Sequence, residues 1–324
     1  MRDIRIDTLR FIGLSMIIFA HVNPPGILFQ LRNFDVPLMV LVAGMSFGIS
    51  YKIRESYTSY CIKRFKRLVA PVWLFLTVYF IATFLYNPSH PDLSASKLLT
   101  SYGLVSGIGY VWIIRVFVMV ALVSPFIYQI HKKVKSDAAY FSYIGLLFIV
   151  FEIIRYITIP YADQIVFKLI FLVSHYIIPY SLIFALGLRM LNLQSKNLQV
   201  LALVNLTIFT FIAIALYVIN GEIIPTQQYK YPPSYYYFSY AIFVASVLCL
   251  LASKINTLVT HFKLNYLVYF IAKNSIWVYL WHIPFVKFLS VDNFLIKYVL
   301  VYPRIQLRSA TLSNIKKLKP SPQI

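Results

Sequence analysis

Apolar residues run along this chain in blocks of about twenty, and short polar stretches separate them. A helix that crosses a bilayer needs about 20 mostly apolar residues, or about 17 at the short end. By that measure the sequence predicts helices near residues 4–22, 35–51, 68–86, 110–128, 139–159, 166–191, 198–219, 235–252 and 264–289. A tenth run starts at Phe294 and meets Pro303 and Arg304 after nine residues. The strands of a membrane barrel would alternate polar and apolar residues, and these blocks do not. The expected fold class is therefore all-α, a polytopic transmembrane helix bundle of about ten helices with the last one short or incomplete. It would occupy residues 1–302 as one domain, followed by a basic tail, 303–324, expected to be poorly ordered.

Composition points the same way. Of 324 residues, 60% are hydrophobic and 12% charged, against about 25% charged in soluble domains. The net charge of +20 invites a nucleic-acid reading, but the basic residues sit in short clusters between apolar runs, where they act as topology signals. Arg32, Lys97, Lys168, Lys230, Lys287 and Lys297 fall in one set of alternate loops, and Arg115, Arg155 and Lys273 within the runs. The other 21 of the 30 Lys and Arg fall in the opposite set. That asymmetry predicts a cytoplasmic N-terminus. The first segment reads as a retained helix, because Asp3 and Asp7 precede it and His-Val-Asn-Pro-Pro stands where a signal peptide would offer small residues. Cys61 and Cys249 give neither a disulfide framework nor metal-ligand spacing, and no metal site is expected. Tyr235, Tyr236 and Tyr237 read most simply as an interfacial belt, with sugar stacking as the alternative.

Ionisable groups inside spans are expensive and suggest function. Asp7 and Arg10 are three apart and share a helix face. His21 lies eleven residues beyond Arg10, on the same stripe and about 16 Å deeper. Arg64 and Arg67, in the densest basic patch, would suit a phosphorylated ligand, because guanidinium binds phosphate through paired donors. A plain topology signal explains the patch equally simply. Glu152 and Arg155 read as a structural ion pair. Arg115 has no partner nearby in sequence and should face the bundle interior. His175 and His282 add intramembrane imidazoles. No Walker loop, Gly-x-Ser-x-Gly elbow or His-Glu-x-x-His motif is present, which leaves histidine for acid–base work.

These stretches together resemble the acyltransferase 3 family of bacterial membrane proteins. Ile6-Asp7-Thr8-Leu9-Arg10 followed by His21 is similar to its first helix, and Phe34-Asp35-Val36-Pro37-Leu38 with Ala43-Gly44 to its second, with Ala43 where Ser is commoner. Lys63-Arg64-Phe65-Lys66-Arg67-Leu68 with Pro71 resembles its Arg-x-x-Arg stretch, and Tyr279-Leu280-Trp281-His282-Ile283-Pro284 its late Tyr-Leu-x-His-x-Pro motif. The resemblance implies O-acyl transfer in the bacterial cytoplasmic (inner) membrane. The donor would be acetyl-CoA or another acyl-CoA, with no permanently bound cofactor. The acceptor would be a hydroxyl of a cell-surface polysaccharide (O-antigen or capsule, for instance) or of its polyprenyl-linked precursor. Membrane lipid is the expected surrounding partner, and nucleic acid is not one. It implies His21 as the base, Arg10 with Asp7 orienting it, and Arg64 and Arg67 gripping CoA. His282, Arg115, Glu152 and Arg155 would stand behind them. The family's full last helix is missing, so either the tenth helix is aborted or the reading frame has shifted near residue 300. The competing readings are a flippase for a lipid-linked sugar and, if the end is truncated, an inactive scaffold.

Overall fold

A computed structural model describes residues 3–51, 56–162, 164 and 168–301. The tail predicted to be poorly ordered lies outside the described residues. The chain is all-helical, and among the described residues the only β-type pairing is an isolated bridge between Lys230 and Pro233. The elements are α1 (Ile4–His21), α2 (Gly26–Leu31), α3 (Asp35–Ser50), α4 (Tyr57–Leu68), α5 (Ala70–Tyr86), α6 (Ala95–Tyr102), α7 (Trp112–Lys133) and α8 (Asp137–Thr158). They continue with α9 (Lys168–Leu172), α10 (Ile178–Met190), α11 (Ser195–Asn220), α12 (Tyr235–His261), α13 (Asn265–Lys273) and α14 (Ser275–Phe288). Residues 294–301 are also helical.

Local chemistry sets several boundaries. Asp3 caps α1 by accepting from Arg5 N at 2.9 Å, and Ser56 caps α4 by accepting from Ser59 N. α11 ends on Gly221 at φ +74°, a left-handed C-cap that a side chain would resist. Pro179 offers no N–H to the turn before it, and there Val173–Ile177 widens into a π-turn.

Among the described residues seven helical stretches are long and apolar enough to cross a bilayer: Gly26–Ser50, Tyr57–Tyr86, Trp112–Lys133, Asp137–Tyr161, Ile170–Met190, Ser195–Asn220 and Tyr235–His261. Length and composition thus support seven of the roughly ten spans expected. α1 has 18 residues but carries Arg5, Asp7 and Arg10. The helix expected over 264–289 is two pieces that meet at Asn274, where the backbone leaves helical geometry at φ −110° and ψ 25°. The span expected to start at 68 begins eleven residues earlier, since α4 runs into α5 with only Val69 between them.

α1 sits at the centre, packed by α3, α12, α13 and α14. α8 and α11 lie at the edge and present Leu146, Ile149, Leu203, Phe211 and Val218 outward. Lipid solvates such a surface; water would not. α3 and α10 cross at backbone contact. A Cβ on Gly44 would strike the Phe184 carbonyl, and one on Gly187 would strike the Leu41 carbonyl. Small residues at a membrane crossing permit this approach.

Candidate active site

Two cavities lie against α1, one at each end of its polar stripe. The larger, ≈ 1170 Å³ counting its open mouth, is lined by Arg10, Ser46, Arg64, Arg67 and Lys273 among apolar neighbours. The smaller, ≈ 470 Å³, is lined by His21, Arg32, Asp35, Trp112, Lys230 and Tyr231 among others. Ile17, Ile113 and Tyr279 line both and form the wall between them.

α1 delivers Arg10 to the first cavity and His21 to the second, as their shared stripe predicts. Arg10 Nη2 donates to Ser46 Oγ at 2.5 Å, and Nη1 to the Ala272 carbonyl at 3.4 Å. Asp7 Oδ1 stands farther off, 4.0 Å from Nη1. Ser46, which sequence reasoning did not single out, thus stands closer to the Arg10 guanidinium than Asp7 does. The Ser46 hydroxyl itself donates to Val42 O at 2.8 Å, so its lone pairs are turned to the guanidinium. Arg64 and Arg67 come from α4, whose basic side faces this cavity. The Arg64 guanidinium stacks over Tyr60 at 4.9 Å, which fixes its plane.

Across the wall, His21 Nδ1 is 2.7 Å from His282 Nε2. The other nitrogen of His282 meets the Tyr279 carbonyl. A carbonyl only accepts, so His282 Nδ1 carries a hydrogen. In the neutral ring its Nε2 is then a lone pair, which accepts from His21 Nδ1–H. His21 Nε2 is left with a free lone pair. The Tyr279 hydroxyl is anchored on the Tyr110 carbonyl at 2.5 Å, and the Tyr110 ring stands edge-on to His21 at 4.8 Å. The sequence named both histidines but could not pair residues 261 apart.

The remaining candidates separate from the site. Arg115, Glu152 and Arg155 line neither cavity. Glu152 accepts from Arg155 Nε at 2.8 Å, as the ion-pair reading requires, and from the backbone N–H of Tyr235. Arg115 reaches toward the Tyr176 ring at 5.8 Å, with its Nε buried and unpaired. His175 bonds Ser174 Oγ and Thr158 Oγ1, the packing role of a core histidine. Tyr236 and Tyr237 are buried, and the Tyr236 hydroxyl donates to Ile224 O in the loop before α12, so the interfacial-belt reading is corrected for these two: protein covers them. Arg32 and Lys230, counted as loop charges, do stand in connecting segments, but they are buried there. They are only 4% and 3% exposed and converge on Asp35. Among the described residues no three His, Cys, Asp or Glu side chains gather to hold a metal.

A family model described as an acyltransferase domain matches residues 3–303. The chain belongs to that family, acyltransferase 3, and is an acyltransferase of the membrane. No curated protein and no solved structure matches it.

Proposed function

We propose that the protein is an O-acyltransferase that moves an acyl group, typically acetyl, from acyl-CoA to a hydroxyl of a cell-surface carbohydrate or its lipid-linked precursor. It would work in the bacterial cytoplasmic membrane with the N-terminus inside. In this reading α1, the α13–α14 pair and residues 294–301 complete a bundle of about ten crossings. The observation that carries the proposal is the His21–His282 pair beside a wall shared by a guanidinium-lined cavity and a polar one.

The chemistry follows from the proton order. CoA phosphates take the paired donors of Arg64 and Arg67 at the mouth of the larger cavity, and the acyl thioester extends past Arg10 toward the wall. A sugar hydroxyl in the smaller cavity gives its proton to His21 Nε2 as its oxygen attacks the thioester carbonyl. The resulting imidazolium is stabilised through Nδ1–H by His282 Nε2, which the Tyr279 carbonyl holds in the accepting tautomer. Collapse of the tetrahedral intermediate breaks the C–S bond, and the proton passes from His21 to the thiolate. The new C–O bond is the ester; free CoA thiol is the second product.

Deleting the gene and analysing surface polysaccharide by mass and NMR tests this. Loss of one acyl group with chain length kept is the expected result. Loss of the chain itself would favour a flippase and sink the proposal.

A further inference from the structure

The smaller cavity holds more positive charge than it neutralises. Asp35 accepts from Arg32 Nη1 at 2.8 Å, from Lys230 Nζ at 3.3 Å and from the Val36 backbone N–H at 2.7 Å. Two cations thus share one carboxylate, and all three side chains are at most 4% exposed. Burying an uncompensated charge is costly in a protein interior, and the site reflects that cost. Lys230, in the loop before α12, has its ammonium pulled down to about 8 by burial, against the opposing pull of Asp35. Its one hydrogen bond among the described residues, to Asp35, leaves further donors unused. Among the described residues, Arg32 Nε is buried with no partner, and so is Gln227 Oε1, on residues that line the same cavity. The residues that line this space beside His21 thus carry unmet polar atoms and, among the described side chains of the cluster, one more positive charge than negative.

The Trp112 and Tyr231 rings meet edge to face at 5.1 Å and line this space too. Aromatic faces suit the apolar face of a sugar ring, and the orphan amide oxygen suits one of its hydroxyls. We infer that the cavity is an acceptor subsite for a sugar unit carrying a negative charge, a carboxylate or a phosphate, seated between Lys230 and Arg32. The inference rests on the acyl-transfer reading above and narrows its acceptor. The bound anion offsets the excess positive charge of the Arg32–Asp35–Lys230 cluster, while the ring hydroxyl to be esterified lies toward His21.

The full-length protein in lipid nanodiscs, at constant ionic strength, is titrated with methyl β-D-glucuronoside, glucose 1-phosphate and methyl β-D-glucoside. Binding is read by tryptophan fluorescence and checked by calorimetry. At least one charged sugar is expected to bind about tenfold or more tighter than the neutral glycoside. The charged arm that wins distinguishes carboxylate from phosphate. Lys230→Gln should erase the charge preference while leaving neutral-sugar binding in place. Equal affinities, absence of binding to all three included, overturn the inference, and the comparison on the native chain needs no variant to fold. Thiol release from acetyl-CoA is followed in parallel. Equal release with charged and neutral sugars removes the charged acceptor and keeps carbohydrate acylation. Charge-selective binding with no thiol release keeps the anion subsite and removes carbohydrate acylation.

Discussion

His21 Nδ1 and His282 Nε2 lie 2.7 Å apart, and the carbonyl of Tyr279 behind them decides which nitrogen holds each proton. The pair is polarised in one direction only, toward a lone pair on His21 Nε2. Replacing His21 with Ala removes the base itself. Acyl transfer should fall by about 10²-fold or more, with membrane insertion unchanged by protease protection. Near-normal acylation in a complemented deletion strain would take His21 out of the mechanism.

His282 acts through His21. His282→Phe keeps the ring volume and removes the acceptor, so His21 loses the partner that fixes its tautomer. We expect kcat to drop by about tenfold or more while KM for acyl-CoA holds, and the pH–rate profile to shift. A merely structural role would lower folded yield without moving that profile.

Arg64→Lys and Arg67→Lys retain charge but lose the planar fork. KM for acyl-CoA should rise severalfold in each, with kcat less affected. If both behave like the parent, the patch is a topology signal and CoA binds elsewhere.

Asp92, in the segment between α5 and α6, accepts from Tyr79 at 2.8 Å and Lys97 at 2.9 Å and pairs with Lys287 of α14 at 2.5 Å. Hydrogen bonds from Lys287, Lys97 and Tyr79 outweigh the opposing effect of burial and hold its carboxyl below the ordinary range. A carboxyl whose folded pKa is depressed stabilises the fold above its unfolded pKa and loses that contribution as pH falls toward the folded value. The melting temperature should therefore fall as pH drops below about 4, and Asp92→Asn should flatten the fall. An unchanged acid profile in the variant would refute the link between this loop and α14.

Gly44→Leu should destabilise by about 3 kcal/mol or more, because backbone rather than a movable side chain stands in the way. Since α3 also carries Ser46, which holds Arg10, activity should fall before the fold is lost. A variant with parental melting temperature would mean that α3 and α10 do not touch there.

The helical blocks were readable because lipid demands long apolar runs and the chain supplies them. The Glu152–Arg155 pair was readable because three residues on a helix guarantee proximity. What was hidden was whatever needed the third dimension. Lys230 lies 195 residues from Asp35, and nothing in its neighbourhood distinguishes it from a topology charge. Arg32 and Asp35, three apart, did offer a local signal that charge counting passed over. Ser46 looked like an ordinary small residue. The break at Asn274 was masked because apolar residues continue on both sides of it, so hydropathy alone could not see the change of backbone direction there.

The wall of Ile17, Ile113 and Tyr279 has a consequence for the cell as well as for the reaction. Were the two cavities to open to opposite faces of the membrane, this partition would stand between two compartments held at different voltage and acidity. The enzyme would then double as a plug, passing an acyl group while refusing ions. Shaving the partition, as in Ile113→Gly, would turn a transferase into a leak.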